Sequence, residues 1–152
     1  MRIVITGATG FIGSYLAALF LREGAEVFAL SRPDSPNLKA LPVHENLHIV
    51  PWSMDRAGDC VSQIGSADAF FHFAWGGVNR QEKNVAGSLE CIRAAKALSC
   101  SVFMDAGSRV EYGLTDGIMS EDRECAPINQ YGKAKWEFYQ KAAPLCKELG
   151  LH

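Results

Sequence analysis

The chain has 152 residues, 48% hydrophobic and 21% charged, with a net charge of −2. That make-up describes one globular domain large enough to bury a real core. It excludes a basic nucleic-acid or anionic-membrane partner, a membrane span of roughly 20 apolar residues and a secretory leader at the N-terminus.

The first thirteen residues, MRIVITGATGFIG, carry the strongest local signal. Ile3, Val4 and Ile5 are the β-branched residues of a strand buried on both faces. Gly7, Gly10 and Gly13 follow as GxxGxxG: the first for a tight turn, the second for close backbone approach to a bound group, the third for close helix packing. The helix after them opens with unpaired N–H groups and the positive end of its dipole, which suits a dinucleotide pyrophosphate. The alternative is a purely structural turn.

Phe11, Ile12, Tyr15, Leu16, Leu19 and Phe20 recur at helical spacing, and Gly24 stops the helix. Glu26 to Leu30 reads as the second strand and runs into the turn-rich SRPDSPN. An acidic residue past this strand would bind a ribose 2′-hydroxyl, whereas the Ser31-Arg32 found there suits a 2′-phosphate and favours NADP over NAD. The alternative for Arg32 is a solvated loop charge. Leu47 to Val50 is a short third strand, followed by a weak helix from Asp55 to Ile64. Asp68 to Phe73 is a fourth strand, ending in Ala74, Trp75 and two glycines that suit backbone held close to a ligand.

Gln81 to Leu98 is helical, with Val85, Leu89, Ile92, Ala95 and Leu98 on one side. Ser101 to Asp105 is the fifth strand, and a loop from Leu114 to Asn129 leads to a last helix, Gln130 to Leu149. Pro144 is expected to kink that helix or shorten its last turns. Strands alternating with helices predict an α/β doubly wound parallel sheet of the Rossmann type, with its ligand at the carboxyl ends of the strands. The chain reads as a single nucleotide-binding domain, residues 1–152. It stops where a sixth strand would begin, which reads as a fragment lacking a second domain. Cys60, Cys91, Cys100, Cys125 and Cys146 form an odd set without metal-ligand spacing, and are read as reduced thiols of a cytoplasmic protein.

Tyr131 and Lys135 stand four apart on the last helix, so both fall on one face. A tyrosine titrates near 10, and a neighbouring ammonium or an oxidised nicotinamide stabilises its phenolate. Such a phenolate takes a hydroxyl proton while a hydride leaves the same carbon. Ser108, just past the fifth strand, is placed to hydrogen-bond the same oxygen.

TGATGFIG at 6–13, HFA at 72–74, NVAGS at 84–88, GSRVEYG at 107–113 and YGKAK at 131–135 occur in this order. In this the chain resembles the extended short-chain dehydrogenase/reductase family, and most of all its NAD(P)-dependent epimerase/dehydratase branch, which acts on nucleotide sugars. The resemblance makes Ser108, Tyr131 and Lys135 the catalytic triad. It sets Gly7, Gly10, Phe11, Ile12 and Gly13 at the cofactor pyrophosphate, Ser31 and Arg32 at the adenosine ribose, and Phe73, Ala74 and Trp75 along the cofactor. Lys135 would also bind the nicotinamide ribose, and Asn84 would support the site from its helix; the alternative for Asn84 is a capping or surface amide.

The sequence departs from the family in several places. Dehydratases of the family carry an Asp-Glu pair directly after the serine, where this chain has Arg109 and Val110, so epimerisation or keto-sugar reduction is favoured over dehydration. Glu111 replaces a valine and reads as a surface loop charge. The adenine-capping aspartate would align near Ser53, with Asp55 two residues on. Trp75 replaces a small residue, either to stack on a ligand or as packing.

The resemblance thus implies a nucleotide-sugar epimerase using NADP or NAD, or its cofactor-binding part. The alternatives are an NADPH-dependent reductase of a keto sugar or related carbonyl compound, and a non-catalytic NADP-binding module. It also implies a homodimer, formed through the helices at 81–98 and 130–149.

Overall fold

A computed structural model describes residues 1–114 and 116–152, and all of Val78 but its side chain. Five strands form one parallel sheet in the order β3-β2-β1-β4-β5: β1 (Arg2–Thr6), β2 (Glu26–Ser31), β3 (Leu47–Pro51), β4 (Ala69–His72) and β5 (Val102–Asp105). The helices are α1 (Phe11–Arg22), the short α2 (Cys60–Ile64), α3 (Gln81–Ala97) and α4 (Gln130–Leu149). The predicted weak helix resolves into two pieces, a 3₁₀ segment Met54–Asp59 broken at Arg56 and then α2.

Side-chain alternation along β1 explains its unbroken apolar run. Ile3 and Ile5 point to one face, joining Val27, Ala29 and Phe71 under α1, while Val4 points to the other, joining Phe28, Leu30, Phe70 and residues of α3 and α4. Both faces are covered, so neither side of the strand needs a polar residue. The winding reverses between β1 and β4, and a crevice lined by Gly7, Gly10, Phe73 and Ala74 lies beyond their carboxyl ends.

The face of α1 that meets the sheet is Gly13, Ala17 and Leu21, not the large residues that mark the periodicity. Phe11, Ile12, Tyr15 and Leu19 are exposed, with Leu16 and Phe20 only half-buried. The cause is close packing. A Cβ on Gly13 would collide with the Gly7 carbonyl oxygen and stand 2.9 Å from Ala8 Cα, so α1 sits too near the turn for bulk on its inner side. At the other end of the chain α4 runs unbroken through Pro144 to Leu149, and the expected shortening does not occur. Its left-handed Gly150 then turns the chain so that His152 bonds both Ser101 and Phe103 beside β5.

Candidate active site

The carboxyl end of β1 supplies the glycine turn. Gly7 takes it at φ +66°, and Gly10 begins α1 with no side-chain cap. The first helical bond runs from Ser14 N–H to the Gly10 carbonyl, so the N–H groups of Phe11, Ile12 and Gly13 have no helical acceptor. They follow directly on Gly10, which lines a groove of about 520 Å³ together with Gly7, Ser31, Arg32, Ala74 and Trp75 among others. A groove with free amides at one end and Arg32 at the other fits a dinucleotide.

At the end of β2, Ser31 is buried and its hydroxyl donates to the Arg32 carbonyl, whereas the Arg32 side chain is two-thirds exposed. Ser53 and Asp55 also line the groove, but both Asp55 oxygens accept from Arg80 at 2.7 Å. That guanidinium holds the Asp55 carboxyl below the usual range. Asn84 is fully buried. Its Oδ1 accepts from Gly76 N–H at 2.9 Å and its Nδ2 donates to the Gly76 carbonyl at 3.2 Å, so it neither caps a helix nor faces solvent. Its amide ties down the loop after β4.

His72 closes β4 in a buried relay. Thr6 Oγ1 accepts N–H bonds from Phe73 and Ala74 and stands 2.7 Å from His72 Nδ1. With its oxygen thus occupied, the hydroxyl proton goes to Nδ1, which assigns the ring proton to Nε2 for donation to Ser88 Oγ at 2.8 Å. Burial first, and then the charge of Lys135, push the imidazole down to about 3, so it is neutral.

Lys135 is 5% exposed. Its Nζ donates to the Ala106 carbonyl at 2.9 Å and to Asp105 Oδ2 at 3.4 Å, and lies 3.9 Å from the centre of the Trp75 ring. Asp105 is pushed up to about 6 by burial, against the opposing pull of Lys135, and its Oδ1 is buried without a partner. Tyr131 meets the Trp75 ring edge-on at 6.0 Å. Asn129 caps α4 by accepting from Gly132 N–H at 2.7 Å. A Cβ on Gly132 would stand 2.6 Å from the Val110 carbonyl, so the glycine lets the first turn of α4 press against the turn that follows Ser108.

Ser108 opens that 3₁₀ turn, Arg109–Tyr112. Glu111 is not a surface charge: it is 9% exposed, and its Oε1 accepts the Ser108 N–H, fixing the serine backbone as the acidic half of a capping box. Ser108, Asp105 and Lys135 line a second cavity of about 650 Å³ between β5 and α4. Serine and lysine therefore share a chamber at the strand ends. The Trp75 ring lies between Lys135 and the glycine-turn groove, whose lining includes neither Lys135 nor Tyr131.

A family model described as the NAD dependent epimerase/dehydratase family matches residues 3–152. A UDP-glucose 4-epimerase of Rhizobium meliloti is 39% identical over 153 residues, which cover 89% of this chain and 44% of that protein. An uncharacterised UDP-glucose epimerase of Bacillus subtilis is 28% identical over 156 residues, covering 89% and 48%. The crystal structure of a UDP-galactose 4-epimerase superposes with a TM-score of 0.86 at 24% identity, covering all of this chain and 54% of the other. The chain spans about half the length of the curated relatives it matches.

Proposed function

The chain belongs to the NAD dependent epimerase/dehydratase family, and from that premise we propose that it is the cofactor-binding and proton-transferring part of a nucleotide-sugar epimerase. The observation that carries this reading is the buried ammonium of Lys135, one helical turn from Tyr131 and in one cavity with Ser108. A nicotinamide supplies reversible hydride storage, so a sugar carbon can be oxidised and reduced again on its other face. Tyr131 takes the sugar hydroxyl proton and later returns it, with the Lys135 ammonium on the same face of its helix. Ser108, its backbone held by Glu111, orients the same oxygen. Gly7, Gly10, Phe11, Ile12 and Gly13 receive the pyrophosphate, and Phe73 and Ala74 line the cofactor. The exposed Arg32, with no carboxylate at Ser31, suits a 2′-phosphate and so NADP over NAD.

The stacked Trp136 and Tyr139 on α4, ring centres 5.4 Å apart with Tyr139 exposed, support a homodimer built on α3 and α4. The five unpaired thiols support a reducing, cytoplasmic setting.

Two measurements test the reading. Fluorescence titration is expected to show NADPH binding more tightly than NADH; the reverse order overturns the use of Arg32. Conversion of UDP-glucose to its C4 epimer, followed by NMR, is expected to fall by about 10²–10⁴-fold in Tyr131→Phe. An unchanged rate in that variant overturns its role as base.

A further inference from the structure

The three N–H directions of Lys135 are all taken. One points to the Ala106 carbonyl, one to Asp105, and the third to the π face of Trp75. Asp105 closes β5, paired with His72 in the sheet, and Ala106 follows it directly. Trp75 is different: it lies in the loop after β4, is only half-buried, and precedes two glycines. Its ring is held from one end by Nε1–H donating to Gln81 Oε1 at 3.1 Å, and it packs edge-on to Tyr131 and Phe138. The indole therefore stands as a partition. On one side it lines the groove that ends at the glycine turn; on the other it covers the ammonium that shares a cavity with Ser108.

We propose that Trp75 is a gate residue, whose indole must leave Lys135 before the nicotinamide end of a bound dinucleotide can reach the ammonium and Tyr131. This rests on the dinucleotide reading above. A cation over an indole is a favourable contact, so its loss opposes ligand entry. The adenosine half of the ligand occupies the Arg32 end of the groove and leaves the contact between the indole and Lys135 in place. Trp75 acts through Lys135 and is a positioning residue, selecting for ligands that compensate for its displacement.

The experiment compares two probes on the intact chain by calorimetry: whichever of NADPH and NADH binds more tightly, and the matching adenosine half, 2′,5′-ADP or ADP. Trp75→Ala is expected to bind the full dinucleotide about 3- to 30-fold more tightly than the parent, the range that a lost cation–π contact allows. Its affinity for the adenosine half is expected to stay at the parental value. Trp75→Phe keeps a ring face over Lys135 and is expected to remain close to the parent for both probes, with thermal melts showing that each variant is folded. Parental or weaker dinucleotide binding by a folded Trp75→Ala, with the adenosine half still bound, overturns the gate alone. Failure of both probes to bind the parent overturns the dinucleotide reading and the gate with it.

Discussion

Acidified from pH 7 to pH 4, the Asp105→Asn variant is expected to lose about 2.5 kcal/mol more folding stability than the parent chain. Two buried groups with opposite signs produce this. His72 is held neutral, its folded value of about 3 lying below the ordinary 6.5. The unfolded chain takes up that proton first, so the stability His72 contributes is complete above pH 6.5 and drains away as pH falls toward 3. Asp105 is raised to about 6 from 3.8, so here the folded chain takes up the proton first. Its buried charge costs stability above pH 6, and acid removes that cost between pH 6 and 4. Each window is worth about 1.4 kcal/mol per pH unit, so in the parent the two nearly offset one another.

The residues are direct neighbours across β4 and β5, which is why one variant exposes the other's effect. Asp105→Asn leaves the acid lability of His72 uncompensated. His72→Phe removes that lability, but at neutral pH it costs about 2–4 kcal/mol, because the Thr6 and Ser88 hydroxyls lose their partner. Urea unfolding at pH 4, 5, 6 and 7 reads all three curves. An Asp105→Asn curve parallel to the parent would show that Asp105 does not titrate as its surroundings dictate, and a His72→Phe curve parallel to the parent would show the same of His72.

Gly13→Ala is expected to cost about 1–3 kcal/mol of stability and to weaken dinucleotide binding by about 100-fold, while Gly10→Ala is expected to cost far less stability. The new Cβ at position 13 meets only backbone, the Gly7 carbonyl and the Ala8 Cα, and backbone cannot rotate aside. α1 must back away from the turn, taking with it the amides that would face the pyrophosphate. At position 10 the nearest atom is the Gly7 oxygen, at 3.1 Å, and a shift of a few tenths of an ångström accommodates it. Thermal melts and NADPH titration of the two variants decide the matter. Equal losses would mean that close packing of α1 does not set the groove.

The parallel sheet, the order of its elements and the start of α4 were legible because each rests on local chemistry: β-branched runs, glycine punctuation and helical spacing. The placement of Tyr131 and Lys135 one turn apart on one helix was legible as a spacing of four. The inner face of α1 was not, because periodicity weighs large residues and this contact is built from small ones. Glu111 was misjudged as a surface charge, and the contact through which Asn84 supports the loop after β4 was not foreseen, for one reason. A polar side chain in a loop or on a helix looks solvated until the backbone group it binds is known, and those partners, Ser108 N–H and the Gly76 peptide, are fixed only by tertiary structure. His72 and Asp105 did leave a trace, each a lone titratable letter closing an apolar strand in FFH and VFMD. That pattern marks strand ends aimed at a crevice, and it could have been used.

The amide of Asn84 mimics a neighbouring strand, offering Gly76 one donor and one acceptor at peptide spacing. Only a carboxamide of that length satisfies both at once. An aspartate there would set oxygen against oxygen and push the segment outward, whereas a glutamine would overshoot by a methylene. The shape of the crevice wall is thus written in a side chain that need never touch a ligand, and a survey of chains with this loop should find that position almost closed to change.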